Sequence, residues 1–370
     1  MLQSRSGAGV AQLAERQPSK LHVAGSNPVS RSTAIADASL RLRRAIERNI
    51  PERADLRAAA AELSAAYRSG ARPPALREPA IVAAYAAARM PATFAAAARA
   101  CAAAADRVPG FAPATLLDVG GGTGAVGWAA RAIWPSIESI EVTDHEPATL
   151  DLGRRLAGTS GDAVLAAVAW RTAVAAASAR HRRADLVTAG YFLGELAAAD
   201  RPDVVDALWA ATRGLLVLVE PGSRAGFGRI LAARERLLAA GARVVAPCPG
   251  PEPCPVADAR SAWCHFLARL DRSPLHRRAK SGARSWEDEP FSYVAVARPA
   301  LVADPRPRVV LGRPRHHPGR VELRICADGR IERTIVSRRD GPVWRAARNL
   351  EWGDAVLDLR LPDDLGSGAD

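Results

Sequence analysis

"ATLLDVGGGTGAVGWAARAIWP", residues 114–135, runs from an apolar stretch through a glycine loop into a helical pattern. A strand, a loop free of Cβ atoms and a helix whose N-terminus faces that loop together make a site for close approach of a ligand to backbone. Gly120, Gly122 and Gly124 supply the tight turn. Such a loop occurs in NAD sites, in other nucleotide sites and in purely structural turns, so it needs company to be informative.

Two acids supply that company. Asp118 stands two positions before the first glycine, and "IEVTDHEPATL" (140–150) reads as a second strand ending in Asp144 and followed by a helix start at Pro147. An acid at the end of a second strand can accept both hydroxyls of a ribose. The pattern resembles the class I S-adenosylmethionine-dependent methyltransferases, whose first motif is an acid followed by G-x-G-x-G. That resemblance implies that Gly120, Gly122 and Gly124 lie against the methionine portion of the cofactor, with Asp118 near its ammonium group and Asp144 on the ribose.

Downstream the alternation continues. "ADLVTAGYFLGEL" reads as the fourth strand and its loop, "GLLVLVEPGS" as the fifth strand, "GFGRILAARERLLAAGA" as a helix, "RVVAP" as the sixth strand and "FSYVAVARP" as the seventh. Strands alternating with helices imply an α/β fold with a doubly wound parallel sheet, closed by one late antiparallel strand if the family pattern holds. The fourth-strand loop has neither Asn/Asp-Pro-Pro-aromatic, as in exocyclic-amine methylation, nor a nucleophilic cysteine. Tyr191 and Glu195 are the polar candidates near a transferred methyl, and for Glu195 a helix-capping role stands beside a catalytic one.

Upstream, residues 34–110 read as Ala-rich helices, with Pro91 as a break and Gly70 as a stop. This region reads as a helical lead-in rather than a site, and Cys101 as a small core residue. Residues 1–33 are polar and aperiodic. "AGVAQLAERQPSKLHVAGSNPVSRS" within them resembles the conceptual translation of a transfer-RNA gene, so the segment is expected to be disordered or to follow from a misassigned start codon.

The five cysteines are too few for a disulfide scaffold. No secretory segment or membrane-length apolar run is present, and a reducing cytoplasm is the expected location. Three of the five fall in "APCPGPEPCPVADARSAWCHF" (246–266), an insertion expected over residues 247–289. Cys248, Cys254, Cys264 and the more distant Cys326 make one tetrahedral thiolate set, open to zinc or to an iron–sulfur cluster. Unrelated, reduced loop cysteines are the plainer alternative.

The net charge of +12 is local: residues 269–348 carry 19 Lys plus Arg against 9 Asp plus Glu. A basic face of that kind suits a polyanion. Within it, "ICADGRIE" reads as a hairpin turning at Asp328 and Gly329. His265, His276, His316 and His317 are expected to be solvated or to face RNA, and Trp263, Trp286 and Trp344 to serve packing ahead of base stacking.

"ARMPATFAA", "LLDVGGGTG", "YFLGEL", "LVEPGSRAGF", "APCPGPEPCP", "WCHFLARLDRSPLHRRAK", "EDEPFSYVAVAR" and "VELRICADGRIERTIVSRRDG" closely resemble the Rsm-type family of methyltransferase-like proteins of the ribosomal small subunit, found in bacteria and mitochondria. The likeness covers roughly residues 40–355. It implies that Cys248, Cys254, Cys264 and Cys326 hold a [4Fe-4S] cluster, with zinc as the alternative. It also implies that the partner is small-subunit ribosomal RNA or a pre-ribosomal particle. Four segments are expected: 1–33, disordered; 34–110, helical; 111–300, a class I methyltransferase-like domain; and 301–370, a basic β-rich domain. Two functions follow as expectations, a methyltransferase acting on small-subunit ribosomal RNA and a noncatalytic RNA-binding assembly factor.

Overall fold

The computed structural model describes residues 28–50, 56–69, 78–174, 179, 182–248, 250–259, 262–280, 282–301 and 308–356. Residues 1–27 and 357–370, which belong to two of the expected segments, lie outside the described residues, as does Gly70.

The glycine loop follows strand β1 (Thr115–Val119) and leads into helix α5 (Ala125–Ile133). β1 is central because its apolar residues have two faces to bury. Leu116 faces the helical side with Ile140 and Leu186, while Leu117 and Val119 face the other side with Val187 and Leu216. Strands buried on both faces read as continuous apolar runs, as this one does. Around it the main sheet contains β2 (Ser139–Asp144), β3 (Ala169–Thr172), β4 (Ala184–Gly190), β5 (Thr212–Pro221), β6 (Arg243–Ala246), β7 (Phe266–Asp271) and β8 (Trp286–Ala297). Its order is β3-β2-β1-β4-β5-β8-β6, with β7 also paired to β8. β1 to β5 pair in parallel, and β8 runs antiparallel to β5, β6 and β7. This is the class I methyltransferase sheet, with the expected late antiparallel strand. The order in which successive strands are added reverses between β1 and β4, which opens a crevice at the carboxyl ends of the strands.

Four helices precede β1: α1 (Pro28–Asn49), α2 (Arg57–Ser69), α3 (Pro79–Ala88) and α4 (Met90–Arg107). α1 begins at Pro28, so the last six residues of the segment expected to be disordered are helical. α3 and α4 meet at a 45° bend around Arg89, where Pro91 occupies the first turn of α4. The alanines of α4 let it press closely on the sheet, and Phe94 and Cys101 are fully enclosed there. Among the described residues no single helix is long and apolar enough to cross a membrane.

α6 (Pro147–Gly158) and α7 (Ala163–Ala166) connect β2 to β3. α8 (Arg201–Ala211) leads into β5, and α9 (Arg224–Ala239) covers the opposite face between β5 and β6. The stretch expected as an insertion divides in two. The described residues up to 265 lie in no helix or strand, whereas β7 and the start of β8 extend the main sheet, with α10 (Pro274–Lys280) between them.

A second, antiparallel sheet contains β9 (Arg308–Val310), β10 (Arg315–His317), β11 (Arg320–Ala327), β12 (Arg330–Ser337) and β13 (Ala355–Val356), with α11 (Pro342–Ala347) against it. Val321, Leu323 and Ile325 alternate inward to make its core with Val336 and Leu350. β11 and β12 are joined through the pair Ala327 and Arg330, leaving Asp328 (φ 47°) and Gly329 (φ 72°) as a two-residue turn. Positive φ at both central positions suits the right-handed twist of a hairpin.

Candidate functional site

At the carboxyl end of β1 the glycines have different tasks. A Cβ on Gly120 would meet the Phe192 ring at 2.2 Å, so that glycine permits packing between two loops. At Gly122 (φ 53°) the nearest atom is Asp144 Oδ2 at 3.9 Å, and the space beyond is open. Gly122 therefore forms a cradle that a side chain would fill. Its N–H donates to Asp144 Oδ2 at 2.9 Å, while Asp144 Oδ1 accepts from Glu146 N–H at 2.9 Å. Burial pushes the Asp144 carboxyl up, against the pull of those donors and of His145.

Asp118 lies fully enclosed beneath the loop. Thr188 Oγ1 donates to its Oδ1 at 2.8 Å, whereas its Oδ2 has no partner. Burial pushes this carboxyl up to about 7. The Thr123 hydroxyl in the same loop is also buried without a partner. Two orphaned polar groups beneath an open cradle fit a ligand that brings donors, and an ammonium group near Asp118 is such a donor.

On the neighbouring strand ends, Tyr191 follows β4 with φ 59°, an uncommon conformation for a bulky residue. Its N–H donates to Val219 O at 2.7 Å and its hydroxyl to Glu289 Oε1 at 3.0 Å. Arg89 holds the same carboxylate through two nitrogens, at 2.9 and 3.3 Å. Burial, with Glu289 next, drives the Tyr191 phenol well above its ordinary value, so it stays a donor. Glu195, the other polar candidate, is half-buried and near enough to add to the burial that pushes Tyr85 up to about 12. Glu220 at the end of β5 anchors the loop by accepting from Leu193 N–H at 2.9 Å and pairing with Arg229 at 2.5 Å.

The lead-in helices are therefore part of the site, contrary to the sequence reading: Arg89 and Tyr85 reach it from the α3–α4 corner. Arg89, Glu220 and Glu289 lie within three of the stretches that carry the family likeness, but nothing in those stretches assigns them to the site. Arg89 and Glu289 are 200 residues apart in the chain and meet only through packing of α4 against β7 and β8.

Cys248, Cys254, Cys264 and Cys326 line one cavity of about 110 Å³. The Cys248 thiol donates to the Cys326 sulfur at 3.5 Å, which raises Cys248 and lowers Cys326. Burial raises Cys254 and Cys264. Among the described residues no three His, Cys, Asp or Glu side chains stand close enough to hold an ion. Arg234 fastens the cysteine loop by donating to Gly250 O and Glu252 O, both at 2.8 Å. Arg107 is half-buried, with its Nε and one Nη enclosed and unpartnered, and the Cys248 thiol is among the groups that perturb it. The donor set and these cations fit an anionic thiolate-bound centre, although the side chains do not close around one.

His276 corrects the expectation of a solvated histidine. It is enclosed in α10, with Nε2 3.3 Å from Glu287 Oε1, because Glu287 gathers Arg272 and Lys280 around the same point. Burial acts to raise Glu287, but the bonds from His276, Lys280 and Arg272 outweigh it and hold the carboxyl well below its usual range. His316 and His317 are exposed on β10. Trp263, Trp286 and Trp344 are half-buried. Trp263 donates to Gly222 O at 2.8 Å, and Trp286 lies under Arg269 at 4.1 Å.

The profile of the family described as mitochondrial small ribosomal subunit Rsm22 matches residues 79–357. Human "Ribosome assembly protein METTL17, mitochondrial" is 34% identical over 293 residues, covering 74% of this chain and 61% of the human protein. "Rsm22-cox11 tandem protein 2, mitochondrial" of Schizosaccharomyces pombe is 29% identical over 198 residues, 41% of this chain and 26% of that protein. The chain thus spans less than two thirds of these relatives. Among solved structures, an O-methyltransferase family protein from Burkholderia thailandensis is 13% identical with a TM-score of 0.37, over 73% of this chain and 70% of that one. The cytoplasmic expectation is overturned: the family and these relatives are described as mitochondrial. Cysteine usage reports the redox state of a compartment and not its address.

Proposed function

The chain belongs to the Rsm22 family of mitochondrial small ribosomal subunit proteins, and on that footing we propose that it binds S-adenosylmethionine and acts on small-subunit ribosomal RNA during ribosome assembly. The observation that carries the cofactor reading is the open cradle at Gly122, next to Gly121, whose Cα side lies against the unpartnered Oδ2 of Asp118. Asp118, Gly120, Gly122, Gly124 and Asp144 would hold the cofactor, which supplies an electrophilic methyl group. The description of the human relative as a ribosome assembly protein supports the partner. The basic tract supports RNA, since folded RNA is gripped largely through phosphate and shape.

A noncatalytic assembly role is the second reading, and one observation favours it. The polar groups at the mouth are committed to one another, with Tyr191 and Arg89 both bound to Glu289. The Cys248, Cys254, Cys264 and Cys326 set is proposed to hold a [4Fe-4S] cluster, with zinc as the alternative; when bound, it would cross-link the cysteine loop to β11. Arg107 and Arg234 would offset its charge.

Isothermal titration with S-adenosylmethionine tests the cofactor reading. Binding by the wild type and its loss in Gly122→Arg are expected, because Arg both fills the cradle and strains a left-handed position. Equal binding by both proteins sinks it. Ribosomal RNA mass spectrometry in cells carrying each form then separates the two roles: a methyl mark lost with the variant means catalysis, and an unchanged set of marks means assembly alone.

A further inference from the structure

A second cavity, of about 730 Å³, opens beside the transfer site, with four cations and one carboxylate in its wall. Arg57 comes from α2, Arg89 from the α3–α4 corner, Arg272 from the turn after β7 and Lys280 from the end of α10. Segments more than 200 residues apart in the chain thus bring positive charge to one place. The carboxylate is Glu289, the group that Tyr191 and Arg89 bind. The floor is formed by Pro221, Gly222 and Ser223, at the carboxyl end of β5.

Three features limit what could occupy this cavity. Its volume is that of a small-molecule or nucleotide site rather than an ion site. Its charge is cationic, and three of the four cations are arginines, whose planar fork matches phosphate oxygens in pairs. Its position is beyond the strand ends, where an α/β sheet presents ligands. Arg272 and Lys280 are held in place by Glu287 beneath them, so these two charges are prearranged.

We infer that this cavity receives a phosphodiester of a single-stranded RNA segment and so presents the adjoining nucleotide to the loop that carries Tyr191. Glu289 belongs both to the wall and to the Tyr191 contact, and it registers the bound strand against the transfer site. This inference rests on the reading that the protein acts on RNA and is independent of whether the cofactor binds.

The test uses the full chain and a fluorescent single-stranded RNA oligonucleotide, with anisotropy measured across a salt series. Arg57 sits on an exposed turn of α2, so Arg57→Ala should fold. Lys280→Gln is the second variant, and circular dichroism checks both. Each is expected to weaken binding for all sequences alike and to reduce the slope of log affinity against log salt by about 1, as for one lost phosphate contact. Unchanged slopes in both folded variants overturn the inference. If adenosine monophosphate or inorganic phosphate binds through Arg57 while the oligonucleotide is indifferent to it, the phosphodiester is likewise overturned in favour of a small phosphate ester. Isothermal titration with S-adenosylmethionine on the same variants keeps the two readings apart. A wild type that does not bind the cofactor but shows the lowered slopes in its variants fails the cofactor reading and upholds this one.

Discussion

Asp118 concentrates the energetics of the loop in one side chain. Its carboxyl stands at about 7 in the folded chain against an ordinary value of 3.8, with burial as the main cause. Between those two pH values the folded state holds a proton that the unfolded state has released. Stability therefore falls as pH rises through this window, the reverse of the usual aspartate. The difference corresponds to a ceiling of roughly 4 kcal/mol. Asp118→Asn has no charge to bury, so its urea-denaturation free energy should stay flat from pH 5 to pH 8 where that of the wild type declines. A parallel decline in both proteins would assign the effect elsewhere. A cationic ligand group beside Oδ2 would reverse the proton preference, so cofactor affinity should increase with pH through the same window. The sequence singled out Asp118 by its place before the glycines but held no sign of its enclosure, which Thr188 and α5 create across the fold.

The β11–β12 hairpin couples local and distant structure. Asp328 and Gly329 were legible as turn residues because left-handed backbone at two successive positions is a short-range steric demand. What the turn meets was not legible. A Cβ on Gly329 would lie 3.0 Å from Glu252 Cβ, so the hairpin tip abuts the cysteine loop. Gly329→Val should therefore destabilise the protein by about 1–3 kcal/mol through backbone strain alone, before any cost of contact. Equilibrium unfolding in urea measures it, and a loss under half that size would mean that the backbone at 329 is not held in its left-handed conformation. β7 shows the opposite case. Its alternating residues sit between a proline-rich loop and a basic helix, and it becomes a strand because β8 offers an edge beside it.

Across the whole molecule, the second sheet meets the loop after β6 where Cys326 of β11 touches Cys248. Arg99 of α4 adds a bond to Trp352 O at 3.2 Å, and Arg313 reaches Asp288 at 3.0 Å. Such a contact should resist opening of the second sheet. Cys326→Ser is expected to speed limited proteolysis in the connection near residue 300 severalfold while leaving the glycine-loop end of the main sheet protected. Equal cleavage rates would show that the sulfur contact contributes nothing to docking. Iron and sulfide analysis of anaerobically purified protein then distinguishes a bound cluster from a thiol pair.

The sequence by itself determined the alternation of strands and helices, the glycine loop with its two acids and the hairpin turn. These depend on steric and hydrophobic rules that act over a few residues. Only the tertiary structure decided that Arg89 meets Glu289, that His276 is enclosed against Glu287 and that four distant cations share one cavity. Those pairings join residues far apart in the chain, and their partners are chosen by which faces can be buried together, a property of the whole packing and of no local pattern.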